Sequence, residues 1–352
     1  MKHSRINRIA ALCLLMTMAI AMSSCAVVLA EYTPQTFESA ISSETANGLY
    51  DSRGNQLATW SELVNTYGLD VERDHVLVDY QGTEWADPST WNWGDPFGQI
   101  NLSICKVDAT TSLQYVINTY FSEARPTALV IPEEAGVTKI GAYACQGCET
   151  LINVKLPSTI KTIGKGAFKS CFSLKEINLP ESVVELGDSS FMGTRLKSVT
   201  IPDSVTFIPA SAFAACTELE TVKLGNNVDE IGAFAFICCY KLKEINLPDS
   251  LLSIGMQSFC LCKNLKTLTV PAKVAFLGPY VFAGCETMEE LHFEGQPLFG
   301  IPQGMVFCNP TDIYVPYTTE WCALTPKALL WGDYRGTEIH CVNGTFFIKF
   351  FI

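Results

Sequence analysis

A block ending in a proline-capped strand recurs along this chain every 22 to 25 residues. Its clearest copies read LPSTIKTIGKGAFKSCFSLKEINLP (156–180), LGNNVDEIGAFAFICCYKLKEINLP (224–248) and LPDSLLSIGMQSFCLCKNLKTLTVP (247–271). The residue closing each copy carries the register through Ile131, Leu156, Leu179, Ile201, Leu224, Leu247, Val270, Phe293 and Val315. Self-similarity at such a period means a stack of supersecondary units, each unable to bury its apolar face alone.

Within a copy the apolar residues hold fixed offsets: Ile160, Ile163, Phe168, Cys171, Leu174, Ile177 and Leu179 correspond to Val228, Ile231, Phe236, Cys239, Leu242, Ile245 and Leu247. Each column must therefore point inward and stack on its counterpart in the next rung. The alternation in L-K-E-I-N-L-P is that of a strand with one buried face, and the proline suits a strand that ends where its ladder ends. A parallel sheet of seven or more such strands is expected along one face. The I-G step at Gly164, Gly232 and Gly255 reads as a tight turn exploiting glycine's freedom. The stretch A-F-x-x-C-x-x-L reads as a short helical turn.

The run I-G-x-x-A-F-x-x-C-x-x-L-K-x-I-x-L-P-x-S resembles the BspA-like leucine-rich repeat of bacterial and protist surface proteins, over roughly residues 129–316. NGLYDSRGNQLATWSELVNTYG (47–68) resembles a leader module placed ahead of such repeats. The resemblance implies an α/β repeat solenoid: a leucine-rich-repeat-type right-handed coil with a parallel sheet on one face, short turns or helical turns opposite, and non-repeat caps at both ends. It further implies a secreted or surface-exposed role in adhesion or host interaction, without enzymatic activity. Some copies depart from the pattern. Gly225 and Glu294 replace the proline, Cys145 takes the phenylalanine slot, and the copy at 179–201 is one residue short, reading FMGTRL.

Thirty-six acidic against 24 basic residues give a net charge of −12, which repels phosphate backbones and argues against nucleic acid or an anionic lipid surface as ligand. At the N-terminus, Lys2, Arg5 and Arg8 precede an apolar run from Ile9 to Met22 and then small residues, the layout of a secretory signal peptide. Two exits stay open: cleavage after Ala30, or a lipobox ending in Cys25 as the lipidated residue. An uncleaved signal anchor is the third reading. The expected organisation is a signal peptide (1–30), a leader and cap module (31–128), the repeat solenoid (129–316) and a C-terminal cap (317–352). Any membrane attachment would be N-terminal.

The repeat register also explains most of the 15 cysteines. Cys148, Cys171, Cys216, Cys239, Cys262 and Cys285 share one column and read as small buried hydrophobes. In-register parallel neighbours stand about 4.8 Å apart, too far for the roughly 3.8 Å Cβ separation a disulfide prefers, so a free thiol ladder is expected. Cys238 and Cys260 lie off the column, and a bridge involving them stays open in an oxidising compartment. The Cys145/Cys148 pair has no second pair to complete a zinc site.

No catalytic constellation, metal set or cofactor motif emerges. The outward strand column Lys155, Asn178, Thr200, Lys223, Asn246, Thr269 and His292 is a candidate docking face or a solvated sheet face. Trp85, Trp91 and Trp93, in the loop EWADPSTWNWGDPFG, are candidates for sugar stacking or for packing the leader. Thr59-Trp-Ser-Glu62 fits a capping box opening a helix that ends near Gly68. TSLQYVINTYF (111–121) reads as a second helix, with Leu113, Val116, Ile117, Tyr120 and Phe121 covering the first rung. A hairpin about Asn343-Gly344 is expected near the end, its last strand, in FFIKFFI, buried on the final rung. The leading functional reading is a non-catalytic, adhesin-like surface protein engaging host or neighbouring-cell proteins. The alternative is a glycan binder using the tryptophan-rich leader, with the repeats as spacer.

Overall fold

In a computed structural model, the structure describes residues 46–75, 77–78, 106–107, 111–295, 312–315, 338–341 and 344–347. Each repeat forms one rung of a β-solenoid, with three faces that hydrogen-bond to the neighbouring rungs. The first face is the expected strand column. It runs through Ala128–Val130, Asn153–Lys155, Glu176–Ile177, Ser198–Thr200, Thr221–Lys223, Glu244–Asn246, Thr267–Val270, Glu290–Phe293, Asp312–Tyr314 and Glu338–Cys341. The second is a column of two-residue strands that includes Thr162–Ile163, Glu230–Ile231 and Ser253–Ile254.

The strand column is not one continuous sheet. It divides after Glu176–Ile177 and again after Glu244–Asn246, where Ile177, Leu179, Ile245 and Leu247 are only partly buried. An asparagine side chain marks both seams. Where the ladder runs on, the main-chain carbonyls of Lys155 and Lys223 accept the N–H groups of Ile131 and Ile201 at 3.0 and 2.8 Å. On the strand that precedes each seam, the contact back to the rung before it uses a side chain in that slot: Asn178 Oδ1 accepts the Leu156 N–H (2.8 Å) and Asn246 Oδ1 the Leu224 N–H (2.9 Å). At the first seam the loop Thr194-Arg195-Leu196 is also one residue shorter than Cys171-Phe172-Ser173-Leu174. The second column breaks once, between Glu185–Leu186 and Phe207–Ile208. There Pro209 holds the slot from which Gly187, Gly232 and Gly255 donate an N–H to the preceding rung's isoleucine at 2.7 Å, and proline has no N–H to give.

The third face corrects two local expectations. The A-F-x-x-C stretch is a chain of turns with a left-handed residue at every fourth position, such as Ser189 and Gly193, or Phe234 and Cys238. That alternation sends successive N–H groups two ways: Ala167 and Lys169 bond back within their own turn, while Gly166, Phe168 and Ser170 reach Asp188, Ser190 and Met192 at 2.8 Å in the next rung. Helical continuation would forfeit those crossings. The I-G glycines are needed for space and have no positive φ. A Cβ on Gly164, Gly232 or Gly255 would lie 2.6, 2.8 or 2.5 Å from a backbone nitrogen of the rung before.

The core is a set of ladders. Phe168, Phe191, Phe213, Phe236, Phe259 and Phe282 are fully buried and stack with centroids 5.3 to 6.0 Å apart and planes within 11°. Beside them the thiols of Cys216, Cys239, Cys262 and Cys285 each donate to the carbonyl of a phenylalanine in the preceding rung at 3.2 or 3.3 Å. Cys171 bonds the Cys145 carbonyl in the same way at 3.1 Å, which places Cys145 in the phenylalanine column. Thr194, in the cysteine column of the short copy, is buried with its hydroxyl 3.2 Å from Cys216 Sγ.

The leader covers the first rung piece by piece. Strand Gly48–Tyr50 pairs antiparallel with Ala128–Val130 and closes the strand column. Segment 71–75 closes the second column, with Gly141 N–H on the Val71 carbonyl and Ala142 N–H on Asp74 Oδ1. Lys139, bonded to Asp74 at 2.8 Å, and that Ala142 N–H hold the Asp74 carboxyl below its ordinary pKa. Helix α1 (Trp60–Asn65) carries the expected Thr59/Glu62 capping box. Helix α2 (Leu113–Tyr120), capped by Ser112, buries Leu113, Val116 and Ile117 and bonds Leu113 N–H to the Ala144 carbonyl. Tyr120, expected on the buried face, is instead 50% exposed: it ends the helix and packs on Tyr67 with centroids 5.0 Å apart. At the far end the parallel column continues through Glu338–Cys341, and Gly344–Phe347 returns antiparallel as the expected hairpin. The burial of the last strand falls outside the described residues.

Candidate binding face

Strand pleating sets the outward face. With Leu129, Val154, Val199, Val222, Leu268 and Leu291 buried, the residues on either side must point out. The pairing registers Lys155 on Val130, Lys223 between Thr200 and Asn246, and His292 on Thr269. Lys155, Asn178, Thr200, Lys223, Asn246 and Thr269 are exposed, and His292 is half-buried. The sequence-predicted column thus falls into three hydrogen-bonded segments: Lys155 with the strand just before Asn178, Thr200 with Lys223 and Asn246, and Thr269 with His292. Two of its members are committed elsewhere: Asn178 and Asn246 also donate Nδ2–H to the carbonyls of Leu156 and Leu224 at 3.0 and 3.2 Å.

Charge on this side is organised between rungs. Lys243 bonds Glu220 at 2.7 Å, Lys241 bonds Glu218 at 2.6 Å and Lys266 bonds Glu289 at 2.8 Å. Lys243 draws the Glu220 carboxyl below its ordinary pKa, and Glu218 raises that of Lys241. Such solvent-screened pairs add little to stability, so their main effect is on surface pattern.

The C-terminal end of the column differs. The His292 ring lies parallel to the Tyr314 ring with centroids 4.2 Å apart, and Tyr314 lies on His340 at 4.5 Å and 15°. His292 Nε2 is 3.0 Å from Glu290 Oε2, and His340 Nε2 is 2.6 Å from Asp312 Oδ1. The three rings line an open groove of about 520 Å³, with Thr269, Phe293, Glu294, Val315 and Cys341. Sequence reasoning reached His292 and stopped short of Tyr314 and His340. The signal was present in the near-repetition of ELHF (290–293), DIYV (312–315) and EIHC (338–341).

Cys145 and Cys148 are buried beside Cys171, and burial pushes both thiols well above the ordinary value. Among the described residues no group of three or more His, Cys, Asp or Glu side chains is placed to hold a metal ion. Cys238 and Cys260 sit apart from the thiol ladder in a small apolar cluster with Ala214, Ile237 and Ala283. Trp85, Trp91, Trp93 and Cys25 lie outside the described residues, as does the apolar run near the N-terminus. Among the described residues no helix is long and apolar enough to cross a membrane.

A parallel β-solenoid whose rungs carry Phe and Cys ladders, closed by a dedicated N-terminal module, defines a leucine-rich-repeat protein. The model of the BspA type leucine rich repeat region matches in six copies, over residues 114–195 and 184–309. The chain belongs to that family. Among solved structures it is similar to a leucine-rich repeat protein from Bacteroides ovatus, with 24% identity, TM-score 0.42 and coverage of 61% of this chain and 62% of that one. It is also similar to the T. pallidum leucine rich repeat protein, with 27% identity, TM-score 0.46 and coverage of 60% and 86%. For the pneumococcal vaccine antigen PcpA the values are 18%, 0.38, and 61% and 79%. The match thus spans less than two thirds of the Bacteroides ovatus chain. No curated protein matches the sequence.

Proposed function

We propose that this chain is a non-catalytic surface protein, adhesin-like, that engages proteins of a host or neighbouring cell through the outward face of its strand column. The observation carrying this reading is that face itself. It is a series of registered segments of largely exposed polar side chains, held at fixed spacing by the apolar core behind them. Solenoids present extended surfaces of this kind to partners. Membership of a family of surface proteins and a signal-like N-terminus support placement outside the cell, released after Ala30 or held by a lipid at Cys25.

The test uses the full-length chain on intact cell monolayers. Binding should be saturable and should fall when Lys155→Glu and Lys223→Glu are combined. Phe207→Ser with Phe276→Ser, on the exposed side of the second column, should leave it unchanged. Equal losses from both pairs, or no saturable binding, would remove the outward face as the docking surface.

A further inference from the structure

We infer that Cys238 and Cys260 close into a disulfide under oxidising conditions, and that this bond staples together the two rungs on either side of the second seam in the strand column. The inference stands apart from the reading of the outward face as protein-binding.

The two cysteines belong to neighbouring rungs and to different columns. FICC (236–239) and FCLC (259–262) place Cys239 and Cys262 in the thiol ladder and leave Cys238 and Cys260 one position out of register with each other. The spacing that keeps the ladder thiols apart therefore does not apply to them. The Cys238 N–H bonds the Cys260 carbonyl directly at 2.8 Å. With standard bond lengths that contact holds the two Cα atoms at most about 6.7 Å apart, inside the roughly 4.4–6.8 Å that a disulfide spans.

The side chains share one environment. Both lie in the apolar cluster with Ala214, Ile237 and Ala283, and both are buried close to the surface. The Tyr240 hydroxyl bonds the Cys238 sulfur, and burial and then the two sulfurs raise the phenol above its ordinary pKa. Burial and the Cys238 sulfur likewise push the Cys260 thiol up to about 12. Burial raises the Cys238 thiol as well, but Tyr240 and Lys263, whose ammonium stands 5.9 Å from the centre of the Tyr240 ring, act against it. Cys238 is thus the attacking thiol and Cys260 the resolving one.

The oxidant is a small disulfide of the oxidised glutathione type. The Cys238 thiolate attacks one of its sulfurs and releases one glutathione thiolate. Cys260 then gives up its proton, attacks Cys238 and releases the second. Two electrons and two protons leave the cysteines and yield two glutathione thiols.

Position in the fold gives the bond its consequence. Strand Glu244–Asn246 follows Cys238 and strand Thr267–Val270 follows Cys260, and it is between these two strands that the ladder lapses. The rungs stay joined through Glu230 and Ser253 in the second column. On the third face Phe234, Phe236 and Cys238 donate to Met256, Ser258 and Cys260 at 2.8 Å. A covalent link at the last of these crossings holds the rung pair that lacks its strand ladder. At the first seam the same two slots hold Ser170 and Met192, so the staple is specific to the second.

The experiment equilibrates the folded full-length chain in glutathione buffers from reduced to oxidised, blocks the remaining thiols on denaturation and digests with trypsin without reduction. Mass spectrometry should find peptides 224–241 and 244–263 linked in the oxidised buffers and separate in the reduced ones. The link should survive Cys239→Thr combined with Cys262→Thr and vanish in Cys238→Ser, while Cys260→Ser should leave glutathione on Cys238. Amide exchange over 244–270 should slow by about tenfold on oxidation of the unmodified chain and stay constant in Cys238→Ser. Peptides unlinked in every buffer, glutathione adducts in place of the link in the unmodified chain, or a link that needs Cys239 or Cys262 would overturn the inference. Exchange that oxidation leaves unchanged would strike the stapling role. Should the threonine double variant fail to fold, fragmentation of the linked peptides from the unmodified chain assigns the bond, and attachment at Cys239 or Cys262 sinks the idea.

Discussion

Asn178 acts on Leu156 as a peptide group would. Its Oδ1 accepts the Leu156 N–H at 2.8 Å and its Nδ2 donates to the Leu156 carbonyl at 3.0 Å. Asn246 repeats the arrangement on Leu224 three rungs further on. Leu156 is 3% exposed, so its main-chain groups have little access to water. Asn178→Ala should therefore cost about 1–3 kcal/mol, the range for leaving a buried polar group unpaired. Asn178→Asp keeps the acceptor and loses the donor, and should cost less. Denaturant unfolding measures both, and hydrogen exchange at the Leu156 amide should accelerate in the alanine variant alone. Combining Asn178→Ala with Asn246→Ala should add nearly linearly, because the sites share no partner.

Gly255 tests the close approach of successive rungs. A Cβ there would lie 2.5 Å from the Ala233 backbone nitrogen, and backbone cannot swing aside as a side chain can. Gly255→Ala should destabilise by about 1–3 kcal/mol or more, as overpacking does. Gly136→Ala is the useful contrast. Nothing lies within 4 Å of its added Cβ, although φ is +66°, so its cost should be confined to the roughly 1 kcal/mol of left-handed strain. Thermal melts of the two variants should rank them in that order.

These two residues also show where the sequence was readable. Columns of Phe, Cys and Leu declared themselves by period, and the capping box at Thr59 by local spacing, because a single rung or a single helix turn carries all the information needed. Asn178 reads as a solvated polar residue until the position of Leu156 is known, and Pro209 reads as a harmless member of a turn column until its missing N–H is set against the rung before. The I-G glycines were found for the wrong reason, since their constraint lies between rungs and outside the turn. In the candidate site, His292 was legible from strand alternation. His340 lies 26 residues after Tyr314, outside the rhythm of 22 to 25 that exposes the rest, whereas Tyr314 keeps that rhythm at 22 residues from His292 and its ring stands out only once the strands are paired.

The aromatic ladder should behave as a one-dimensional array. Phe236 is fully buried, stacked between Phe213 and Phe259 at 5.4 and 5.5 Å. Phe236→Ala should cost about 3–5 kcal/mol. Because each rung touches only its neighbours, the loss should split unfolding into two transitions on either side of the substituted rung. A single cooperative transition displaced to lower denaturant would contradict that picture of coupling.

The thiol ladder predicts an alkaline limit to stability. Burial raises the Cys216 thiol from its ordinary 9.0 to about 11 and pushes Cys239 and Cys262 well above 9.0. In the unfolded chain these thiols ionise near their ordinary value, while in the folded chain they stay protonated and keep donating to the phenylalanine carbonyls. The unfolded state therefore gains thiolate first as pH rises. Stability is intact below about pH 9 and is lost as pH climbs toward 11. Denaturation midpoints measured between pH 8 and 11 should fall steeply, and thiol-specific alkylation of the column cysteines at pH 8 should require unfolding. Cys239→Thr offers the control, since Thr194 already occupies this column with its hydroxyl satisfied by Cys216. That variant should stay folded, and its decline over the same pH range should be shallower by one ionising group. An unchanged slope would show that ladder ionisation does not set the alkaline limit.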